Sequence, residues 1–303
     1  HGYTSELDST LFYGNITPVN KDRKLAITIN TYGEDVESVG YKIRSLEDKS
    51  LIENTEVSGY QVTDNKINVT LNIKNLLDTG KEYALEVVLK TKKHDAVYYY
   101  TRIMYGTDYD LQKKLDFVRD FNACTFDSAR LKDIGGYLET SSVGDNTNYG
   151  KVNINCSLSQ IGWGDLEPYI ESEITPEIIS INDDVAIIRL DYRVGAANDY
   201  SSSDTYNVNE YYRIRQTNSG FYLLNFEREM NQVFDAKNDL TSSAKINLGI
   251  NSSTYVNCTS DEKGIYTYFV NQGSLWCFSS SSQTFTRVFS FRGEETDSVR
   301  EDY

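Results

Sequence analysis

Regular alternation of apolar and polar residues runs through the first third of the chain. It is clearest in residues 24–30 (KLAITIN), 67–73 (INVTLNI) and 83–89 (YALEVVL), and turn-forming residues separate these runs. Side chains of a strand point alternately to opposite faces, so the pattern predicts strands with one buried face. About six or seven such strands, spaced about 8–12 residues apart, predict a β-sandwich domain over residues 1–108.

One short motif makes the sandwich prediction more specific. Residues 77–83 (LDTGKEY) resemble the tyrosine corner of fibronectin type III and other immunoglobulin-like domains, with Leu77, Gly80 and Tyr83 ahead of an alternating strand. Thr79 stands where those domains often have proline. The resemblance implies that the Tyr83 hydroxyl bonds back to nearby backbone and fixes the crossing between two sheets.

The pattern changes at residue 109. Leu111, Leu115, Val118 and Phe121 recur at helical spacing, and residues 126–138 predict a second helix that ends near a Gly-Gly pair. Longer runs then predict strands over residues 152–161, 170–181, 185–194, 206–216 and 221–234. Helices followed by an antiparallel meander predict an α+β domain over residues 109–240. Its curved sheet could enclose either a filled core or a small ligand.

The last sixty residues predict a third region, 241–303. Residues 264–270 (GIYTYFV), 275–278 (LWCF) and 284–291 (TFTRVFSF) form a three-stranded meander like one blade of a β-propeller. Because a single blade cannot bury both of its faces, we expect either a truncated propeller of which this is the first blade, or a meander that leans on the middle domain. The whole chain is therefore predicted to be mainly β and multidomain.

Composition supports strands and limits the partners. The chain has 303 residues, and its 24 Tyr favour strands over helices. A net charge of -15 argues against nucleic acid, which is held mainly by Lys and Arg, and against anionic membrane surfaces. No apolar stretch reaches the length of a membrane span. The chain begins without Met and ends in a polar run, so we expect both ends to be cuts from a larger protein.

The cysteines allow two interpretations. None of the four stands in a C-x-x-C pair, and with two His in the chain a zinc site is not expected. In an oxidising compartment the spacing favours two local disulfides, and in a reducing one the residues would be buried thiols. Sequence alone permits three connectivities, of which we expect the local pairs, Cys124 with Cys156 and Cys258 with Cys277.

Catalytic signals are weak. The chain has no G-x-S-x-G, H-E-x-x-H, P-loop or dinucleotide motif, and His94 lies in a charged stretch that predicts a surface loop. The most interesting cluster is Trp163 with Asp165 and Glu167, because an exposed Trp beside acids suits sugar stacking, although a core anchor between helix and sheet is the favoured explanation of the Trp. Glu227 and Glu229 form another carboxylate pair on a predicted strand.

Metal signals are equally sparse. Calcium needs several oxygen ligands in a turn, and the candidates are residues 182–184 (NDD) and 199–204. Neither stretch matches a known calcium loop. We therefore predict no cofactor, with calcium as the one alternative.

Several segments resemble a family of uncharacterised surface proteins of Gram-positive anaerobes. They are residues 41–46 (YKIRSL), 51–57 (LIENTEV), 98–103 (YYYTRI), 144–147 (GDNT), 163–166 (WGDL), 221–228 (FYLLNFER), 230–235 (MNQVFD) and 288–292 (VFSFR). In that family a single N-terminal membrane anchor precedes such a region and a longer propeller-like part follows. The resemblance implies an extracellular chain held at the cell surface by an anchor outside it, and it brings no activity.

Three functions remain open. The leading hypothesis is a non-catalytic extracellular surface or scaffold module that binds a cell-surface, glycan or protein partner. The second is a carboxylate-based glycoside hydrolase, which needs two carboxylates in a cleft. The third is a small-ligand sensing domain in the central sheet, which needs a preformed pocket.

Overall fold

The computed structural model describes residues 2–63, 65–106, 109–197, 203–236, 241–242, 245–248, 256–271 and 273–290. Of these residues 51% lie in strands and 11% in helices, which confirms the prediction of a mainly β protein. The chain divides into two compact units. One contains His1–Asn122, Pro176–Arg189 and Tyr211–Phe226, and the other Ala123–Thr175, Leu190–Glu210 and Glu227–Tyr303. The predicted domain boundaries after residues 108 and 240 stay predictions.

Two sheets share the core of the N-terminal region. The strands are β1 (Ile16–Val19), β2 (Lys24–Asn30), β3 (Val36–Ser45), β4 (Leu51–Val57), β5 (Gln61–Thr63), β6 (Lys66–Asn72), β7 (Glu82–Thr91) and β8 (Val97–Tyr105). The five-stranded sheet has the order β1-β8-β7-β3-β4, and the three-stranded sheet has the order β2-β6-β5. Strand β1 is parallel to β8, and the other pairs in both sheets are antiparallel.

The inward side chains of these strands follow the predicted alternation. In β6 every second residue is buried, and the same is true of most of β3. Side chains from both sheets form one apolar cluster, whose most deeply buried members are Val19, Val39, Tyr41, Ile43, Ile67, Leu71, Leu85 and Ile103.

The predicted tyrosine corner makes its expected bond. Tyr83 is buried at the start of β7, and its hydroxyl accepts a hydrogen bond from the Asp78 backbone N–H at 2.9 Å. Gly80 has a φ of 74°, a backbone conformation that glycine adopts without steric cost. Leu77 is buried beside them. The motif therefore closes the turn into β7.

The middle of the chain holds one long helix and one large sheet. Helix α1 is Leu111–Thr125 and helix α2 is Leu158–Ile161, with a 3₁₀ turn at Leu131–Tyr137. The strands are β9 (Lys151–Asn153), β10 (Tyr169–Ile170), β11 (Thr175–Ile181), β12 (Val185–Ala197), β13 (Ser203–Thr217) and β14 (Gly220–Gln232). Their order is β10-β12-β13-β14-β9, and β11 also pairs with β12.

Three predicted elements in this region are wrong in length or type. The run 170–181 is interrupted after Ile170 and resumes as a strand at Thr175. The other two differ in the kind of element. The run 152–161 is not one strand, because Ser157 accepts a hydrogen bond from the Gln160 N–H and so starts helix α2. The predicted helix over 126–138 is only the 3₁₀ turn from Leu131 to Tyr137. In both places short-range hydrogen bonding overrides the apolar spacing.

The last described strands form two small antiparallel sheets. Strands β15 (Thr241–Ser242) and β16 (Lys245–Ile246) pair with each other, and β17 (Cys258–Ser260), β18 (Tyr266–Asn271), β19 (Ser274–Ser279) and β20 (Thr284–Ser290) follow in that order. The predicted meander thus gains β17 as a fourth strand. The ring of Phe234 lies 5.8 Å from that of Phe269 and 4.9 Å from that of Trp276, so one face of the sheet is covered. No helix within the described ranges is long and apolar enough to cross a membrane.

Candidate functional site

Trp163 is a core residue. It is 1% exposed, its indole N–H donates to Thr125 Oγ1 at 3.3 Å, and its ring lies 5.3 Å from that of Phe126. Asp165 and Glu167 lie on the surface. The expected sugar-stacking cluster is therefore corrected: its aromatic member is covered by protein, so the two acids have no exposed Trp face beside them.

The turn after helix α2 explains this separation. Trp163, Gly164 and Glu167 all have positive φ angles, of 68°, 50° and 44°, so the chain reverses sharply there. A Cβ on Gly164 would lie 2.2 Å from the Tyr149 hydroxyl oxygen, so a larger residue at this position would displace the Tyr149 side chain. The reversal turns Trp163 inward and leaves the following acids outside.

Arg228 lies against the buried face of Trp163. Its guanidinium carbon is 3.4 Å from the centre of the indole ring, and the side chain is 0% exposed. Arg228 Nη1 donates to the Ile161 carbonyl oxygen at 2.9 Å, and Nη2 donates to that of Gln160 at 3.0 Å. These carbonyls belong to the last turn of α2, where a cation is favoured by unsatisfied acceptors and the helix dipole. Arg228 thus caps a helix that is too short to be stable alone.

A buried carboxylate completes this group, which we call the Arg228 cluster (Tyr192, Trp163, Glu210 and Arg228). Glu210 Oε1 lies 3.8 Å from Arg228 Nη1 and accepts the Tyr192 hydroxyl at 3.0 Å. Glu210 is fully buried. An isolated buried charge is costly, so the two charges depend on each other.

Sequence reasoning missed Arg228 and Glu210, although the sequence contains a signal for both. Phe226 is buried in β14 and Val208 is buried in β13. Arg228 and Glu210 each stand two residues further along the same strand, on the face that alternation assigns to the interior. Opposite charges at inward positions of two neighbouring strands are the pattern of a buried pair.

A second buried cation occupies the turn that was a calcium candidate. Lys114 is fully buried in helix α1, and its ammonium donates to the carbonyl oxygens of Tyr109 at 2.6 Å, Asn182 at 2.7 Å and Asp183 at 2.8 Å. The turn's carbonyls therefore hold the protein's own cation. Of the other candidate, residues 199–202 lie outside the described residues. In the part that the structure describes, no group of three or more His, Cys, Asp or Glu could hold a metal ion.

Glu227 and Glu229 share a lysine. They flank Arg228 on β14 and point to the other face, where Lys151 Nζ lies 4.0 Å from Glu227 Oε2 and 3.5 Å from Glu229 Oε1. All three side chains are about half exposed. The arrangement is a surface ion-pair group, and a hydrolytic role for these acids stays a prediction.

The expected disulfide pairs are not formed in the structure. Cys156 is a buried thiol that donates to the Asp145 carbonyl oxygen at 3.3 Å. Cys258 pairs with Phe269 and Cys277 with Tyr268, so strand β18 separates them and they point to opposite faces of the sheet. A disulfide needs Cα atoms within about 7 Å and converging Cβ vectors. The structure therefore corrects the pairing of Cys258 with Cys277, and it forms no disulfide between the buried Cys124 and Cys156.

The N-terminal sandwich contains a buried acid of its own. Glu53 accepts hydrogen bonds from Thr55 Oγ1 and the Lys74 N–H, both at 2.9 Å, and its Oε1 lies 2.6 Å from the Tyr41 hydroxyl. That hydroxyl is also 2.8 Å from the Asn72 carbonyl oxygen. Burial, together with the hydrogen bond to Glu53, raises the pKa of Tyr41 above its ordinary value. This carboxylate therefore ties β3 and β4 to the end of β6.

Several aromatic residues lie together on the outer face of the five-stranded sheet. There the N-terminal strap (residues 2–15) crosses β8, and its Tyr3 exchanges two backbone hydrogen bonds with Tyr98 at 2.9 and 2.8 Å. The Phe12 ring stacks on Tyr100 at 4.4 Å, and the Tyr3 ring lies 5.7 Å from that of Phe12. The Tyr98 and Tyr100 rings stack at 6.4 Å, and Tyr13 follows Phe12 in the strap, with the Arg102 guanidinium of β8 5.8 Å from the centre of its ring. We call this set the tyrosine patch (Tyr3, Phe12, Tyr13, Tyr98 and Tyr100).

Lys42 of β3 supports the tyrosine patch from the sheet. Lys42 Nζ lies 5.8 Å from the centre of the Tyr98 ring and 2.8 Å from both Glu6 and Glu86. Burial favours the neutral amine of Lys42, but the two carboxylates outweigh this effect and raise its pKa. Lys42 therefore links the strap, through Glu6, to the buried Glu86 of β7.

Comparison with known proteins adds no family to this description. No family model matches the chain, and no curated protein is similar to it.

Proposed function

We propose that the chain is a non-catalytic extracellular surface module that binds a partner through the tyrosine patch. In this proposal residues 1–108 are an immunoglobulin-like sandwich, residues 109–240 an α+β domain, and residues 241–303 a meander that corresponds to a propeller blade. An anchor outside the chain holds it at the cell surface. The partner is a cell-surface polymer, a glycan or a protein.

The tyrosine patch is the observation that carries the proposal. Apolar and aromatic residues on a monomer's surface are usually scattered, and a connected group of rings marks a binding surface. Tyr3 and Tyr13 are exposed, and their neighbours in the patch are half-buried. The buried charged groups in Lys114, Glu53 and the Arg228 cluster are engaged with neighbouring protein atoms, which supports a structural rather than a catalytic role for them.

Two experiments test this function. Protease treatment of intact cells of the source organism is expected to release peptides of this chain, because an extracellular protein is accessible. The purified chain is expected to bind isolated cell walls from those cells, and Tyr13→Ala to lose that binding. Protection from protease in intact cells would contradict the location. Equal wall binding by Tyr13→Ala and the wild type would contradict the role of the patch.

A further inference from the structure

Tyr13 is held as an open aromatic platform. The guanidinium carbon of Arg102 lies 5.8 Å from the centre of its ring, so one face of Tyr13 rests on a cation. The residue is nevertheless 80% exposed, so the opposite face of the ring is open to solvent.

The supporting arginine is itself fixed. Arg102 Nη1 donates to Glu82 Oε2 at 2.6 Å and Nη2 donates to the Gly14 carbonyl oxygen at 2.8 Å. Gly14 follows Tyr13 directly, so one guanidinium holds both the ring and the backbone beside it. A surface that is ordered before binding loses less conformational entropy when it binds.

The charges around the patch are already balanced. Arg102 pairs with Glu82, and Lys42 pairs with Glu6 and Glu86. The patch therefore offers no uncompensated cation to an anionic polymer. It offers instead ring faces and the hydroxyl groups of Tyr3, Tyr13, Tyr98 and Tyr100, which suit a ligand that is apolar on one face and hydroxylated at its rim.

The small size of the patch favours a small ligand over a protein partner. A stable protein interface uses about 20–30 residues on each side, whereas the rings and ion pairs of the patch involve far fewer. A pyranose ring matches the remaining requirements, because its C–H groups lie on a face and its hydroxyl groups at the rim. From this geometry we propose that the tyrosine patch binds a neutral glycan, with a sugar ring stacked on the open face of Tyr13. This inference rests on the proposed function and names its ligand.

Calorimetric titration of the purified chain tests the proposal. The probes are neutral hexasaccharides of glucose, mannose, xylose and N-acetylglucosamine, with polygalacturonate as an anionic probe. We expect saturable binding of at least one neutral hexasaccharide, and a loss of affinity of about tenfold or more in Tyr13→Ala. Tyr13→Phe keeps the ring and is expected to retain binding. Tyr32→Ala is the matched control, since Tyr32 is also exposed, at 56%, and lies outside the patch.

Each other outcome overturns the inference. If no neutral hexasaccharide binds at millimolar concentration, or if only polygalacturonate binds, the ligand is not a neutral glycan. If Tyr13→Ala and Tyr32→Ala bind the hexasaccharide with equal affinity, the sugar does not stack on Tyr13. If cell walls still bind through Tyr13 while no neutral hexasaccharide does, the glycan assignment fails and the proposed function stands. If neither binds, both fail.

Discussion

The Arg228 cluster and the tyrosine patch contain the same pair of groups in opposite surroundings. In the cluster, Arg228 lies against Trp163, pairs with a carboxylate and donates to two backbone carbonyl oxygens. Beside the patch, Arg102 lies against the ring of Tyr13, pairs with a carboxylate and donates to one backbone carbonyl oxygen. Trp163 is 1% exposed and Tyr13 is 80% exposed. The first pair therefore caps a helix and fills a core, whereas the second holds a ring face out to solvent. Exposure of the ring, and not the residue types, separates a structural pair from a binding surface.

The largest expected effect on stability is at Arg228. Arg228→Met removes the cap of helix α2 and leaves Glu210 buried without its cation, so we expect a loss of about 3–5 kcal/mol of unfolding free energy. Urea denaturation followed by tryptophan fluorescence measures this loss. Arg287→Met, at an exposed position of β20, is the matched control and is expected to change stability by less than about 0.5 kcal/mol. A cost at Arg228 no larger than at Arg287 would show that the cluster does not support the fold.

Lys114 is expected to have the next largest effect. Lys114→Met leaves the carbonyl oxygens of Asn182 and Asp183 without their ammonium, which we expect to cost about 2–4 kcal/mol. The neighbouring Lys113 forms a surface ion pair with Asp110, so Lys113→Met is expected to cost at most about 1 kcal/mol. Equal costs for the two lysines in thermal denaturation would contradict the structural role of the buried ammonium.

Tyr41 tests the buried acid of the sandwich. Tyr41→Phe removes the hydroxyl between Glu53 and the Asn72 carbonyl oxygen, and we expect a loss of about 1–3 kcal/mol. Tyr60→Phe removes a hydroxyl that makes one exposed contact, of 3.4 Å, with the Glu37 carbonyl oxygen. We expect that control to lie within about 0.5 kcal/mol of the wild type. If Tyr41→Phe and Tyr60→Phe unfold at the same denaturant concentration, the hydrogen bond between Tyr41 and Glu53 does not stabilise the fold.

The smallest effect concerns the anchoring of the strap beside the tyrosine patch. The Lys49 ammonium, and then the hydroxyl and N–H of Thr10, lower the pKa of Asp8 from 3.8 to about 2. Because the folded pKa is depressed, the stabilisation is complete above pH 3.8 and is lost as the pH falls through about 2. An NMR titration of the Asp8 carboxyl carbon is expected to show this midpoint, and Lys49→Met to raise it. A wild-type midpoint at 3.8 would show that the strap is not held there.

Strand alternation predicted much of the fold because one-sided burial leaves a direct trace in the sequence. Strands β6 and β7 lie close to the predicted runs, and Tyr83 makes the bond that its motif implies. Helix α2 was missed because Ser157 acts through a single local hydrogen bond inside an apolar alternation. Local rules of this kind change an element without changing its hydrophobic pattern.

The site was harder to predict than the fold. Trp163 drew attention as a rare residue beside acids, but the left-handed turn at Trp163 and Gly164 decides where its ring points. The tyrosine patch joins the strap to β8 across more than eighty residues, and no local pattern reports such a contact. Charged residues at inward positions, as at Arg228 and Glu210, are the signal that sequence reasoning can use in future.

One NMR measurement compares the two regions directly. Aromatic ring signals of the intact chain are recorded during titration with the neutral hexasaccharides. The account predicts that the Tyr13 and Tyr100 ring signals shift saturably, while the Trp163 indole signal stays in place because its ring is covered by Arg228 and surrounding protein. A saturable shift at Trp163 with unchanged Tyr13 and Tyr100 signals would contradict it, since the buried pair would then be the binding site.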